Sequence, residues 1–339
     1  MFCEFQKLFM NDQLMNKKMV FILGRGRSGS TLLSSMLDVH PSISFAPEGQ
    51  FVMNLYKKYK GAELSEKRRE EFLQDIWLEK RMLDWSLDVE ALFTQVMDLP
   101  AKATFGDLCT QVYLCHAIAK GKPNPVYLGD KNPLYALFSR ELVTIFPEAK
   151  FIHLVRDYRS NIVSYKNVRF DLHNSAGLAY RWNVYNKSID EASREYPDKF
   201  ILVRYEDIIL HVEKELKRIC NFLGLPMYKE MLDYHKGRAS QIAQKYSWHK
   251  KLAMPPDASN LNEWKKQLSG HELRQVEKIC CRTGSIWGYP QPVAGYDNVL
   301  SLGIIVGSIR TFLEKFLFRL PLPVRSTIIT AFRKLTGSL

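Results

Sequence analysis

Two arginine-bearing turns, a lysine and a glutamate are the residues of this chain whose types and spacing suit chemistry on an anion. In VFILGRGRSGSTLL, Val20 to Leu33, an apolar run ends in a turn carrying Gly24, Gly26 and Gly29 and resumes as an apolar helix. Glycines let backbone N–H groups approach an anion, and a helix beginning near Ser30 adds the positive end of its dipole. Arg27 can fork onto a terminal oxyanion, and the turn residues Ser28 and Gly29 lead into the hydroxyls of Ser30 and Thr31 at the helix start. The spacing follows the nucleotide-triphosphate loop G-x4-G-K-[ST], but Ser30 stands where that loop carries its lysine, which argues against ATP.

The second turn lies in KFIHLVRDYRSNIVSY, Lys150 to Tyr165. Phe151 to Val155 reads as a buried strand that Arg156 ends, and a helix follows with Ile162 and Val163 inward. Ser164 lies about two helical turns beyond Arg156, so the two could grip one phosphate from two sides. Ile43 to Phe45 reads as a further strand, with Glu48 just past it in APEGQF. A carboxylate at a strand end of a doubly wound sheet, facing an anion loop, is positioned for general-base work.

Together these segments resemble the sulfotransferases that use 3′-phosphoadenosine-5′-phosphosulfate (PAPS), and are most similar to the tyrosylprotein sulfotransferase branch and its bacterial relatives. The first turn resembles their 5′-phosphosulfate loop. Arg156, Asp157, Arg159 and Ser164 fit the pattern R-D-x-R-x-x-x-x-S that holds the 3′-phosphate in that family. The resemblance implies a sulfate-contacting role for Lys131 in LGDKNPL, and a general-base role for Glu48. It also implies that Tyr205, in the expected strand FILVRYED, packs on the nucleotide, and that Ser247 contacts it. It extends through a helix from His211 to Leu223 stopped by Gly224, then Asn262-Glu263-Trp264-Lys265, a helix to Cys281 and Gly288-Tyr289, covering Val20 to Pro290. One departure is Glu263, where the branch has lysine; Lys265 or Lys266 could take its place from the next turn. The implied fold is α/β, a P-loop-like doubly wound parallel sheet of about four or five strands with helices on both faces and PAPS across the strand ends. The implied reaction is sulfuryl transfer to a hydroxyl of a carbohydrate, lipid, sterol or protein tyrosine, with Arg27 and Lys131 as charge stabilisers and no metal. A P-loop kinase of a small metabolite and a catalytically inactive, nucleotide-binding, membrane-associated protein are the alternatives.

The elements that must position these residues fill the rest of the chain. The division expected is a loose lead-in over 1–18, the sulfotransferase domain over 19–292 and a basic helical tail over 293–339. Ala62 to Trp85 reads as one amphipathic helix with Leu64, Phe72, Ile76 and Leu83 apolar, followed by helices at Val89 to Met97 and Gly106 to Ala119. Phe51, Tyr56, Trp77 and Trp85 are either acceptor-pocket lining or core. Ser175 to Tyr196 reads as a long helix with Trp182 and Tyr185 inward. The 339 residues carry a formal net charge of +12, which suits a polyanionic donor or an anionic membrane surface. Without a helix-turn-helix, RNP or zinc pattern, the charge does not point to nucleic acid. The six cysteines form no C-x-x-C pair and no apolar leader run is present, so the expected compartment is the cytoplasm. From Asn298 onward six basic residues accompany a single acid, Glu314, in a segment too interrupted to span a bilayer. An interfacial helix pair broken at Pro321 and Pro323 is one reading; a hairpin closing the site, or a homodimer contact, is the other.

Overall fold

A computed structural model describes residues 17–168, 171–237, 252–290, 302–318, 320, 324–325 and 327–328. Five strands, β1 (Lys18–Leu23), β2 (Ile43–Phe45), β3 (Tyr127–Asp130), β4 (Lys150–Val155) and β5 (Phe200–Arg204), form one sheet in the order β2-β3-β1-β4-β5. Every pairing is parallel. The order places the topological switch beside β1, where a crevice opens at the carboxyl ends of the strands. Both faces of the sheet are covered, which is why the strands are apolar without alternation. Phe21 and Leu23 pack into a core on one face, whereas Val20 and Ile22 pack with Leu33 and Met36 on the other.

The helices follow the strands. Helix α1 (Ser30–Leu37) runs from the first turn; α2 (Phe51–Tyr59), α3 (Glu66–Ile76), α4 (Val89–Met97) and α5 (Phe105–Ala119) make the long insertion between β2 and β3. After β3 come a 3-10 turn (Pro133–Phe138) and α6 (Ser139–Ile145); after β4, α7 (Tyr158–Lys166) and α8 (Ser175–Glu195). Helices α9 (Tyr205–Leu210), α10 (Val212–Leu223), α11 (Trp264–Gln267), α12 (Gly270–Gly284) and α13 (Leu302–Leu317) follow among the described residues.

Three expectations need correction. The helix expected over Ala62 to Trp85 is two pieces, α3 and a 3-10 turn at Lys80–Trp85. The break is fixed by Glu79, whose carboxylate accepts from Gln50 N at 2.9 Å and Asn54 Nδ2 at 2.7 Å. The tighter period then puts Met82 and Trp85 on one buried face and turns Leu83 out to 74% exposure. The strand expected over FILVRYED ends at Arg204, so that Tyr205 opens α9. The helix expected to follow Lys265 up to Cys281 is α12, which starts only at Gly270, where Ser269 and Glu272 form a capping box, and runs on to Gly284. Of the insertion aromatics, Phe51 and Trp85 are wholly buried and meet edge to face at 5.6 Å, and Tyr56 and Trp77 are partly buried against the same hydrophobic core.

Candidate active site

The turn between β1 and α1 is held from outside itself. Arg27 sits at φ 66° and Gly29 at φ 92°, both left-handed. Glycine adopts this freely, and a Cβ at position 29 would collide with the Tyr205 ring. For arginine the conformation costs on the order of 1 kcal/mol and persists only where neighbours over-determine it. Here Arg156 donates to the Arg27 carbonyl at 3.0 Å, while Arg27 Nε donates to Ser164 Oγ at 3.1 Å. Asn161 Nδ2 donates to Gly26 O at 2.9 Å and to Ser28 Oγ at 3.1 Å, so Ser28 is buried in the scaffold of the turn. Ser30 and Thr31 open α1 with no side-chain cap on the helix, leaving its dipole end aimed at the crevice.

Tyr205 closes this end of the site, with the Arg156 guanidinium 4.4 Å over its ring. Arg156 Nε is buried without a protein partner. Burial pushes the Arg27 pKa down, and the nearby Arg156 adds to this against the opposing effect of Tyr165. An orphan guanidinium donor, two crowded arginines and an uncapped helix N-terminus fit a ligand rich in anionic oxygens.

Across the crevice, β2 delivers Glu48 and β3 delivers Lys131. Lys131 Nζ lies 2.5 Å from Glu48 Oε1 and 3.1 Å from Thr31 Oγ1, so the lysine bridges the carboxylate to the start of α1. Arg81 of the 3-10 turn meets Glu48 Oε2 at 3.1 Å. Burial raises the Glu48 pKa, but Lys131 and Arg81 outweigh it and hold the carboxyl below its ordinary value. Asp130, fully buried, accepts from the Tyr113 hydroxyl; burial and then the neighbouring Glu48 charge push its pKa up to about 7 despite that bond. The crevice therefore pairs an ionised, half-exposed carboxylate with a buried one that resists ionisation.

The R-D-x-R stretch divides by role. Asp157 caps α7 and binds Arg159 Nε at 3.0 Å, and Arg159 stacks 4.2 Å over Trp264. Arg159 thus fastens the α11 region to α7, while Arg156 and Ser164 face the turn. Lys266 pairs with Glu263 at 3.3 Å and Lys265 lies 5.7 Å from the Trp264 ring centroid. Ser247, Pro321 and Pro323 lie outside the described residues. His40 is the helix-end residue expected, its ring joined to Pro226 O and Ser42 N, each at 3.0 Å.

Sequence reasoning missed Asn161, Arg81 and Arg25. An asparagine inside a helix two residues after an R-D-x-R run is a signal available from sequence; Arg81 has none, because a break in a helix brings it to Glu48. Arg25, buried in the turn, pairs with Asp171 and lies 4.1 Å over Tyr165. Asp171 also meets Arg181 at 3.5 Å and Arg310 at 3.4 Å, and Arg181 meets Glu314 at 2.8 Å. Burial would raise the Asp171 pKa, but these three arginines hold it low. The anion turn is thereby wired to α13. Further on, Arg325 binds Asn54 and, at 2.6 Å, Gln50, just beyond Glu48. One face of the tail is part of the body of the protein.

A parallel sheet with a glycine- and arginine-bearing turn at its switch point and a carboxylate–lysine pair across the crevice is an arrangement suited to group transfer from an anionic donor. Residues 19–230 match the model of the Sulfotransferase family, and the chain belongs to that family. It is 24% identical over 281 residues to a protein-tyrosine sulfotransferase of Drosophila melanogaster, covering 80% of this chain and 51% of the fly protein. It is 27% identical over 237 residues to protein-tyrosine sulfotransferase 1 of Danio rerio, covering 67% and 60%. The chain thus spans about half to three-fifths of those relatives. The sulfotransferase domain of the Synechococcus PCC 7002 olefin synthase shares the fold, with a TM-score of 0.54 and 24% identity over 82% of this chain and 97% of that one.

Proposed function

We propose that this sulfotransferase moves the sulfuryl group of PAPS to an acceptor hydroxyl, with Glu48 as general base. The observation that carries the reading is the bridge from Glu48 Oε1 through Lys131 Nζ to Thr31 Oγ1, because it joins the acceptor-side carboxylate to the anion turn. PAPS, when bound, supplies an activated sulfuryl group and a leaving phosphate that takes up negative charge. The N-terminus of α1, with Arg27, Ser30 and Thr31, is suited to the 5′-phosphosulfate, and Arg156 with Ser164 to the 3′-phosphate; Tyr205 offers a face to the base. Lys131 is placed to leave Glu48 for oxygens on which charge develops. Losing that cation raises the basicity of Glu48 as the acceptor needs deprotonation, so one lysine movement serves both ends of the reaction. The names of the Drosophila and Danio relatives support a protein tyrosine as the acceptor. The place of action proposed is the cytoplasm.

The test is sulfate transfer from labelled PAPS over a panel of tyrosine peptides, sugars and lipids. Glu48→Gln keeps the shape but cannot accept a proton, so kcat is expected to fall by about 100-fold or more with affinity for adenosine 3′,5′-bisphosphate (PAP) retained. Turnover of Mg²⁺-ATP with none of PAPS, or wild-type kcat in Glu48→Gln, contradicts the reading.

A further inference from the structure

Helix α13 has two faces of opposite character. At 100° per residue, Gly303, Gly307, Thr311 and Glu314 share one stripe, and it is the stripe that docks. A Cβ on Gly307 would lie 2.8 Å from the Gly177 carbonyl oxygen, and one on Gly177 would lie 2.8 Å from the Gly303 carbonyl oxygen. Small residues thus let α13 and α8 approach backbone to backbone. The opposite stripe is apolar and faces out: Ile305, Ile309, Phe312 and Phe316 are 46%, 54%, 66% and 44% exposed, with Leu302 and Leu313 beside them. Phe312 and Phe316 stack on each other at 6.1 Å in solvent. A monomer surface carries scattered single apolar residues, and a contiguous stripe of this kind marks an interaction site.

Charge selects the partner. The single acid of α13, Glu314, is on the docked side, bound to Arg181 and Tyr185, so the outer stripe carries no negative group. Lys315 flanks the stripe at one side, whereas Arg310 lies on the docked side, 3.4 Å from Asp171. From Asn298 onward basic residues outnumber acids six to one, and the whole chain carries +12. A second copy would bring the same positive charge to the contact. An anionic lipid surface complements it, and a helix of sixteen residues, about 24 Å long, with an apolar stripe that carries no acid and has Lys315 at its edge lies in such a surface rather than crossing it. No helix among the described residues is long and apolar enough to cross a membrane.

We propose that the outer face of α13 docks on an anionic phospholipid bilayer. The opposite face holds Arg310 and Glu314 in the network that reaches Arg25 of the anion turn, so the bilayer-bound helix and the site are parts of one rigid arrangement.

The full chain is to be cosedimented with phosphatidylcholine vesicles, with and without about one-third phosphatidylserine, at low salt and at about 0.5 M salt. Binding is expected only with phosphatidylserine and is expected to weaken with salt. The double variant Phe312→Ser/Phe316→Ser should lose affinity by at least about tenfold with an unchanged melting temperature, whereas Phe93→Ser, at a phenylalanine of α4 about as exposed as Phe316, should bind as wild type. Three results overturn the proposal. One is no binding to either vesicle, or binding indifferent to phosphatidylserine and salt. Another is a dimer in sedimentation that the double variant splits. The third is a melting temperature lowered by several degrees in the double variant, showing that the stripe is covered within the chain.

Discussion

The two ends of the crevice are built differently. At the donor end, Arg27, Ser30, Thr31, Arg156 and Ser164 come from two strand-turn-helix units on adjacent strands, β1 and β4. Each unit places its residues by local geometry: an apolar strand, a turn at its carboxyl end, a helix N-terminus. At the acceptor end, Glu48 follows β2, Arg81 sits in a 3-10 turn, and Gln50 and Asn54 are held by Arg325 from the tail. No local rule joins these. One end is thus assembled by contiguous strand-turn-helix segments, and the other by an insertion and a tail that long-range contacts bring together.

The strongest test of that contrast is the wire between the donor turn and the tail. Arg25→Met removes the charge-assisted bond to Asp171 but leaves that carboxylate Arg181 at 3.5 Å and Arg310 at 3.4 Å, so it is expected to cost about 1.5 to 3 kcal/mol in chemical denaturation. Glu314→Gln should cost less, since Arg181 keeps Asp171, and the double variant should cost less than the sum of the two. Additive losses would separate the turn from α13 and make the donor end self-sufficient.

A smaller effect sharpens the acceptor side. Arg81 contributes to holding the Glu48 pKa down. In Arg81→Ala the acid limb of the kcat/KM profile is therefore expected to move to higher pH, by less than about one unit because the guanidinium is half exposed. PAP affinity should stay within about twofold, since Arg81 meets the carboxylate and not the turn. An unmoved acid limb would assign the limb to a group other than Glu48.

How much could be read from the chain follows the same division. The parallel sheet, its strands and the donor turn are legible because contiguous residues carry them: apolar runs ending in Gly24 to Gly29 and in Arg156. The helix expected across Ala62 to Trp85 fails because Glu79, with no periodic signature of its own, is drawn to Gln50 and Asn54 and breaks it. The strand through Tyr205 fails by propensity, since FILVRYED is β-rich up to the residues that cap the crevice. In the tail, hydropathy shows two faces, and only the fold shows that the glycine face docks while the apolar one does not. Pattern alone does not divide the R-D-x-R stretch by role: the fold shows Arg159 bound to Asp157 and stacked on Trp264.

The claim on which the account rests is that Arg156 reads a 3′-phosphate, and calorimetric titration with PAP and with adenosine 5′-phosphate tests it directly. The wild-type chain is expected to prefer PAP, and Arg156→Ala to weaken PAP by about 1.5 to 3 kcal/mol while changing adenosine 5′-phosphate little, so that the preference collapses. Equal losses for the two nucleotides, or a wild-type chain that binds them alike, would contradict it.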